Sequence, residues 1–289
     1  MSLVSVVSMV KNEEKYIESA VLSILNQKGV DLELIVIDDF STDNTFQLLS
    51  DLAVADQRMR VFKNPGVGKV AAFKYGCSLA SGQYFAFFAG DDIMPDNSLL
   101  RRLKEMERLV SPAVVLSKIQ VMSEDKKING LLIPKAPGVG NPSGASIMID
   151  RASGQFLLDI PEVLPNEDTW MDLCIRFIKR INIKHEDGVA CCWRVHEGNS
   201  ITIKQGFDQF NMKFSARMKA ISLFLDKYED ILSEADVSTL KSLIECEEFR
   251  VRGQFIKILL SGAPLSDKLR SLSYSNAFFF SIRSKVRSI

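Results

Sequence analysis

The sequence predicts an α/β fold: a mixed, mostly parallel sheet flanked by helices, with a helical C-terminal appendage. Strand-like and helix-like segments alternate through the first part of the chain, which is the pattern of a sheet covered by helices. From about Gly206 the apolar spacing becomes helical and strand-forming residues become rare. We therefore predict one sheet-containing domain over residues 1–205 and a helical region over residues 206–289.

The elements follow in order from the N-terminus. Residues 3–10 are an apolar run broken only by serines, which predicts a buried strand. Asn12 is then expected to cap a helix whose apolar positions start at Ile17. A second strand over residues 32–39 ends in two aspartates and leads to a helix containing Leu49. The remaining predicted strands cover residues 59–64, 83–92, 113–122, 146–150 and 189–196. Glycine and proline accumulate over residues 123–143, which predicts a long surface loop.

The composition excludes several classes of protein. Lys plus Arg number 36, as do Asp plus Glu, so no overall electrostatic field attracts nucleic acid. The five cysteines form no Cys-x-x-Cys pair, which favours a reducing compartment. We find neither a signal-peptide pattern nor an apolar run of the roughly 18 residues that a membrane span needs. These features predict a cytoplasmic globular protein.

Polar residues follow three of the predicted strands. They are Asp38 with Asp39, Asp91 with Asp92, and Arg194 with His196. In an open α/β sheet, ligands bind at the carboxyl ends of the strands. One such pair alone is usually a helix cap or a turn, but three pairs together favour a binding site. Carboxylates with an imidazole suit Mg²⁺ or Mn²⁺, and the imidazole favours Mn²⁺.

Several runs of the sequence resemble the family 2 glycosyltransferases. They are VSVVSMVKNEEKYIESAVLSILNQ, LELIVIDDFSTDNT, VGKVAAFKYGCSLASGQYFAFFAGDDIMPDNSL, LPNEDTWMDL and WRVHEGNS. The resemblance covers residues 3 to 202 in the family's order, and it implies the GT-A fold.

The resemblance also implies roles for the acidic residues at the strand ends. Asp39 resembles the residue that contacts the donor's base, and Asp38 supports its turn. Asp91 resembles the metal ligand that ends the family's Asp-x-Asp motif, and Asp92 would contact metal, ribose or a bound water. The chain has Ala89 where the family usually has an acid, a departure that would alter its ribose contact or its metal affinity.

Two further residues keep alternative interpretations. His196 resembles a histidine that completes the metal shell in some members, but it could also bind phosphate or be structural. Lys69 could approach the diphosphate or be a solvated residue at a helix start. The family's Arg-Asn pair is replaced by Phe73 and Lys74, which is a second departure.

The acceptor side is predicted at Asn166, Glu167 and Asp168. An attacking hydroxyl must lose its proton as the new bond forms, which calls for a carboxylate. Asp168 resembles the family's catalytic base, and Glu167 would orient it or bind a sugar hydroxyl. The alternative is that these residues only cap the following helix.

Together these features predict a metal-dependent, inverting glycosyltransferase. It would move a sugar from a nucleotide diphosphate sugar, with UDP-sugar preferred, to a carbohydrate or lipid-linked glycan acceptor in polysaccharide or glycolipid biosynthesis. One alternative is a non-catalytic nucleotide-sugar-binding module, which Ala89 supports. The other is a nucleotidyltransferase that makes nucleotide sugars, although the basic glycine-rich loop expected after the first strand is missing. A processive synthase would need a Gln-x-x-Arg-Trp motif, which the chain lacks.

The C-terminal segment mixes basic and apolar residues. From Arg250 onward there are eight basic residues and one acid, Asp267. Such a mixture suits either an amphipathic helix on an anionic membrane or packing on the catalytic domain or another subunit. We expect residues 206–260 to pack internally and consider residues 274–289 for peripheral contact with the inner face of the membrane, with the oligomeric state left open.

Overall fold

The computed structural model describes residues 2–196 and 206–287. The chain divides into two compact units, Met1–His196 and Glu197–Ile289. The first unit contains the sheet, and the described part of the second is helical. The boundary predicted after residue 205 stays a prediction, because residues 197–205 lie outside the described residues.

The first unit alternates strands and helices as predicted. Its strands are β1 Leu3–Val10, β2 Asp31–Asp38, β3 Met59–Lys63, β4 Tyr84–Ala89, β5 Ala113–Met122, β6 Leu132–Ile133, β7 Ile147–Asp150 and β8 Asn182–Arg194. Its helices are α1 Ile17–Leu25, α2 Thr45–Ala55, α3 Lys69–Leu79, α4 Ser98–Met106, α5 Arg151–Leu157 and α6 Asp168–Phe177.

The sheet is mixed and mostly parallel, as predicted. Its strand order is β3-β2-β1-β4-β7-β5-β6, and β8 pairs with β5. β1 pairs in parallel with β2 and β4, while β7 is antiparallel to both β4 and β5. Two antiparallel pairings restore the strand direction, so β5 and its parallel neighbour β8 point the same way as β1. The carboxyl ends of β1, β2, β4 and β8 therefore share one edge of the sheet.

Apolar helix faces cover the sheet. In α1 the buried positions are Ile17, Ala20, Val21, Ile24 and Leu25, the spacing of a single helix face. Full burial of one such aliphatic side chain stabilises the fold by about 1.5–3 kcal/mol. Phe73, one of the departures from the family pattern, is fully buried and packs on Phe87 with ring centroids 4.8 Å apart. Phe73 is therefore a residue of the hydrophobic core.

Asn12 does not cap α1, so this prediction was wrong. The helix begins only at Ile17, and Asn12 has a backbone φ of 56°. Its side-chain Oδ1 accepts a hydrogen bond from the backbone N of Thr42 at 2.8 Å. Because the amide binds the loop after β2, it is unavailable to the helix.

Two strand boundaries differ from the predictions by more than two residues. β4 ends at Ala89 instead of residue 92, and β8 starts at Asn182, before the predicted residue 189. Most of the predicted loop 123–143 is irregular, but β6 lies within it. Lys118 on β5 anchors that loop through hydrogen bonds to the carbonyl oxygens of Pro134 and Ala136, at 3.1 and 2.6 Å.

The second unit contains helices α7 Phe207–Met218, α8 Ala220–Tyr228, α9 Glu234–Val251, α10 Phe255–Leu260, α11 Leu265–Ser273 and α12 Ala277–Arg287. Phe224 and Leu240 are fully buried in its interior. The expectation of internal packing fails at α10, where Ile258 is buried but Ile256 and Leu260 are exposed. Among the described helices, none combines the length and the apolar character that crossing a bilayer requires.

Candidate functional site

The polar residues predicted at the strand ends lie on one edge of the sheet. Asp38 ends β2, Asp91 follows β4, and Arg194 ends β8. β1 lies between β2 and β4, so its own end faces the same edge. Val10 at that end pairs with Asp38.

Hydrogen bonds between two loops fix the backbone after β1. The backbone N of Glu13 donates to Thr45 Oγ1 at 2.7 Å, and Thr45 is fully buried. Glu14 Oε2 accepts from the backbone N of Asn44 at 2.9 Å. Together with the Asn12 contact to Thr42, these bonds hold the segment after β1 against the start of α2.

Glu13, Asp91 and His196 form a group with the donor atoms of a metal site. One ligand atom from each side chain lies within 4.8 Å of the others. His196 Nε2 is 3.0 Å from Asp91 Oδ2, and the His196 ring packs on Tyr16 with centroids 4.8 Å apart. Two carboxylates and an imidazole are ligands that Mn²⁺ accepts. Within the described part of the chain, this donor set fits a divalent cation.

Gly90 gives Glu13 room to approach Asp91. A Cβ atom at position 90 would lie 3.2 Å from Cγ of Glu13 and 2.7 Å from Cγ1 of Val10. Both contacts are tighter than side chains normally tolerate, so a larger residue would push the Glu13 side chain or the end of β1 away. The glycine in the run AGDD is therefore needed for the geometry of this group.

The carboxylates of Glu13, Asp91 and Asp92 repel one another. Burial, followed by the charges of Asp91, Asp92 and Asp43, raises the pKa of Glu13 to about 8. Burial and the charge of Asp91 likewise raise the pKa of Asp92 to about 7. Raised carboxyl pKa values of this kind occur where carboxylates converge for function. A bound cation would favour the charged forms.

Asp92 lies beside Asp91 but outside the group of possible ligands. Its Oδ1 accepts from the backbone N of Arg194 at 2.9 Å, and its Oδ2 accepts from Cys191 Sγ at 3.2 Å. The residue is buried, with 4% of its surface exposed. These contacts join the end of β4 to β8 and bring His196 next to Asp91.

Asp39, which follows the last residue of β2, contacts polar groups of Asn64, Gly68 and Lys11, and we call these residues the polar cradle. Its Oδ1 accepts from Asn64 Nδ2 at 2.6 Å and from the backbone N of Gly68 at 3.3 Å. Lys11 Nζ lies 3.9 Å from its Oδ2. Asp38 is buried, and its Oδ2 accepts from the backbone N of Ser41 at 3.1 Å, which holds the turn after β2.

Lys69 and Glu167 join this cradle to the start of α6. Lys69 Nζ is 2.7 Å from Oε1 of Glu167, whose side chain is only 4% exposed. Burial raises the pKa of Glu167, and the Lys69 cation opposes that shift. Lys69 directly follows Gly68, so a continuous path of contacts runs from Asp39 to Glu167.

Asp168 follows Glu167 as the first residue of α6. Its Oδ1 accepts from the backbone N of Gly144 at 3.1 Å, and its Oδ2 accepts from Asn166 Nδ2 at 3.2 Å. Glu167 makes no capping hydrogen bond to α6 through its side chain. The alternative that this acidic pair only caps the helix therefore lacks the expected bond at Glu167.

The sequence reasoning missed Glu13. It lies in the run KNEE, whose pattern predicted only a helix start. The available signal was topological, because a parallel β1 ends at the same edge as β2 and β4.

Of the two tryptophans, Trp170 is a core residue with no exposed surface, and Trp193 is partly buried against the core.

Known proteins are similar to this chain in sequence. The family model described as "Glycosyl transferase family 2" matches residues 5–140. An uncharacterized glycosyltransferase of Haemophilus influenzae is 36% identical over 107 residues, which is 37% of this chain and 43% of the relative. This chain therefore covers less than half of that relative's length. TuaG of Bacillus subtilis, a glycosyltransferase named for teichuronic acid biosynthesis, is 34% identical over 184 residues, covering 59% of this chain and 71% of TuaG.

Solved structures share the fold. TarS residues 1–349 of S. aureus, in complex with UDP-GlcNAc, align with a TM-score of 0.61 at 18% identity, over 97% of this chain and 81% of that TarS chain. The mannosyltransferase PcManGT of Pyrobaculum calidifontis, in complex with GDP-Man and Mn²⁺, aligns with a TM-score of 0.59 at 14% identity, over 98% and 75% of the two chains. The expected GT-A fold is confirmed.

Proposed function

This chain belongs to glycosyl transferase family 2, and we propose that it transfers a sugar from a nucleoside diphosphate donor to an acceptor hydroxyl with inversion at the anomeric carbon. The observation that carries this proposal is the path of contacts from Asp39 through Gly68 and Lys69 to Glu167. It connects a carboxylate suited to a nucleotide base with the carboxylate pair at the start of α6. A donor and an acceptor bound at this edge would therefore contact residues that are linked to one another by these contacts.

On the donor side, Asp39 would accept a hydrogen bond from the base, and Asp38 would hold the turn that presents it. UDP is the preferred nucleotide, in line with the UDP-GlcNAc bound to TarS. Lys69 would approach the diphosphate at the N-terminus of α3, where backbone N–H groups also favour anions.

Asp91 and His196 would hold a divalent cation, Mn²⁺ or Mg²⁺, together with Glu13. Glu13 would supply the carboxylate that the family pattern places at Ala89. When bound, the cation would neutralise charge on the diphosphate leaving group. Asp92 would contribute by holding the segment after β4 against β8.

On the acceptor side, Asp168 would take the proton from the attacking hydroxyl. The Gly144 and Asn166 contacts fix the orientation of its carboxylate. Glu167, paired with Lys69, would keep the start of α6 next to the donor. Such a positioned base contributes about 10²- to 10⁴-fold to the rate. The acceptor class we propose is a carbohydrate or lipid-linked glycan of polysaccharide or glycolipid biosynthesis, as the name of TuaG suggests.

The test is a panel of UDP- and GDP-sugars incubated with the protein and Mn²⁺, with release of nucleoside diphosphate measured by a coupled assay. We expect one donor to release nucleoside diphosphate slowly by hydrolysis in water. Release should be faster when a glycan acceptor hydroxyl takes the sugar, and the product should have the inverted anomeric configuration. Donor binding without turnover on any acceptor would instead favour the non-catalytic binding module. Release of pyrophosphate from a nucleoside triphosphate and a sugar phosphate would favour the nucleotidyltransferase.

A further inference from the structure

We propose that the exposed faces of α10, α11 and α12 form a surface that binds an anionic lipid bilayer peripherally. This inference concerns the second unit and does not depend on the proposed function of the first. The segment considered from the sequence was residues 274–289, but the exposed residues of this surface begin earlier, at Phe255.

Exposed large apolar side chains are concentrated in these helices. Among the described residues, eight of the 20 such side chains lie between positions 255 and 282. We call them the apolar surface, and they are Phe255, Ile256, Leu259, Leu260, Leu265, Leu269, Phe278 and Ile282. Leu260 is 80% exposed, Leu265 is 71% exposed and Phe278 is 69% exposed. Single exposed apolar residues need no explanation, whereas a group of this size marks an interaction site.

Contacts connect the three helices that carry this surface. The Phe255 ring on α10 packs on Phe279 of α12 with centroids 6.5 Å apart, and Phe279 packs on Phe278 at 5.6 Å. Lys268 on α11 donates from Nζ to the carbonyl oxygen of Leu259 at 3.0 Å. The three helices that carry the exposed apolar residues therefore pack against one another.

The charges around the apolar surface favour an anionic lipid bilayer as its binding partner. Between positions 255 and 283 there are four basic residues, Lys257, Lys268, Arg270 and Arg283, and one acid. That acid, Asp267, is buried and pairs with Arg270 at 2.7 Å. A second copy of the same surface would bring like charges together. Anionic lipid headgroups instead match the basic residues, while exposed Leu, Ile and Phe side chains enter the boundary between headgroups and acyl chains.

The test is vesicle flotation of the full-length protein. We expect binding to vesicles that contain phosphatidylglycerol, weak binding to pure phosphatidylcholine, and loss of binding as salt is raised. In the double variant Leu260→Ser/Phe278→Ser, the partition coefficient should fall about tenfold or more, because two apolar side chains no longer enter the bilayer. The variant Lys257→Glu should also weaken binding to the anionic vesicles.

The matched control is Val54→Ser, which removes an 87% exposed apolar side chain from α2 in the first unit. It should float like the wild type. Thermal unfolding and circular dichroism of each variant confirm that it is folded. Equal binding of wild type and the double variant would overturn the proposal. So would a concentration-dependent dimer that the double variant abolishes without any vesicle binding, since the second copy would then be the occupant.

Discussion

His196 Nε2 lies 3.0 Å from Asp91 Oδ2, although 105 positions separate the two residues in the chain. They follow β8 and β4, which are not neighbours in the sheet. The segment after β4 crosses this gap, because Ile93 pairs with Cys192 of β8 through two backbone hydrogen bonds of 3.1 and 2.8 Å. The proposed metal site therefore depends on this crossing as much as on the acidic residues.

The first prediction concerns Asp168. The variant Asp168→Asn should lower transfer about a hundredfold to ten-thousandfold by removing the base. Donor binding should stay near wild type, because Asn keeps an oxygen for the Gly144 N–H. Asn166 Oδ1 is buried without a hydrogen-bond partner, so the Asn166 amide can turn to accept from the new side-chain amide.

Steady-state kinetics and donor titration measure these two effects separately. Asp172→Asn is the control, since Asp172 lies on the same helix and pairs with Arg176 at 3.6 Å. It should transfer sugar at nearly the wild-type rate. Full activity in Asp168→Asn would remove the assignment of the base.

The second prediction concerns pH and the metal-free protein. The pKa of Glu13 rises from 4.5 to about 8, so the folded state holds a proton that the unfolded chain releases. Stability should therefore fall as the pH rises from about 5 to about 8. Asp92, with a pKa near 7, contributes in the same direction. Glu33, whose pKa is lowered to about 2, changes stability only in more acidic solution.

Thermal unfolding in EDTA across this pH range measures the slope. Glu13→Gln should make it shallower, because Gln carries no titratable proton and no longer repels Asp91, while the part that Asp92 contributes stays. The neighbouring Glu14→Gln should keep the wild-type slope. If Glu13→Gln unfolds with the same pH dependence as the wild type, then burial and the neighbouring carboxylates do not raise the pKa of Glu13.

The third prediction concerns Phe40, which follows Asp39. Its backbone φ is 59°, in the left-handed region that favours glycine. Phe40→Gly and Phe40→Ala both remove the ring, but only glycine relieves the backbone strain. Phe40→Gly should therefore be more stable than Phe40→Ala by about 1 kcal/mol.

Chemical denaturation of the two variants measures this difference. Position 97 provides a comparison, because Asn97 also has a positive φ of 60° and asparagine tolerates that conformation. There the advantage of glycine over the native residue should be smaller. Equal stability of the two Phe40 variants would mean that the turn relaxes without cost.

The fourth prediction concerns Arg250 in the second unit. Its guanidinium is fully buried and donates to Glu247, Asn211, Ser215 and the carbonyl oxygen of Tyr274. Arg250→Leu should destabilise this unit by about 3 kcal/mol, since removal of one partner leaves the buried polar groups without their bonds.

Denaturation followed by circular dichroism measures that loss. Arg252→Leu is the control, since Arg252 pairs with Glu248 at 3.6 Å while both side chains are more than half exposed. Its effect should stay below about 1 kcal/mol. A similar loss in both variants would mean that the buried network adds nothing specific.

Sequence patterns predicted the parallel core of the first unit because its elements are regular. The bounds of β1 and β5 match the predicted residues 3–10 and 113–122. In α1, the apolar spacing identified the buried face. Asp39 and Asp91 were located as candidates because carboxylates at strand ends are a local signal. Their roles remain proposals.

What sequence patterns did not predict depends on packing between distant segments. Glu13 lies near Asp91 because β1 is the neighbour of β4 in the sheet and because Gly90 has no side chain that would displace Glu13. Helix α10 was expected to pack internally, because its apolar residues suggest a buried face. It is six residues long and buries only Ile258 among its side chains, so most of its apolar residues stay exposed. Neither fact is encoded in local periodicity.

The most direct test of the central claim is calorimetric titration of UDP in Mn²⁺ and in EDTA, with wild type, Asp91→Asn and Glu13→Gln. The account predicts that Mn²⁺ tightens UDP binding at least about tenfold in the wild type, a coupling of about 1.4 kcal/mol. Both variants should lose this gain while still binding UDP weakly. Equal UDP affinity in Mn²⁺ and EDTA, or an unchanged gain in Asp91→Asn, would contradict the account.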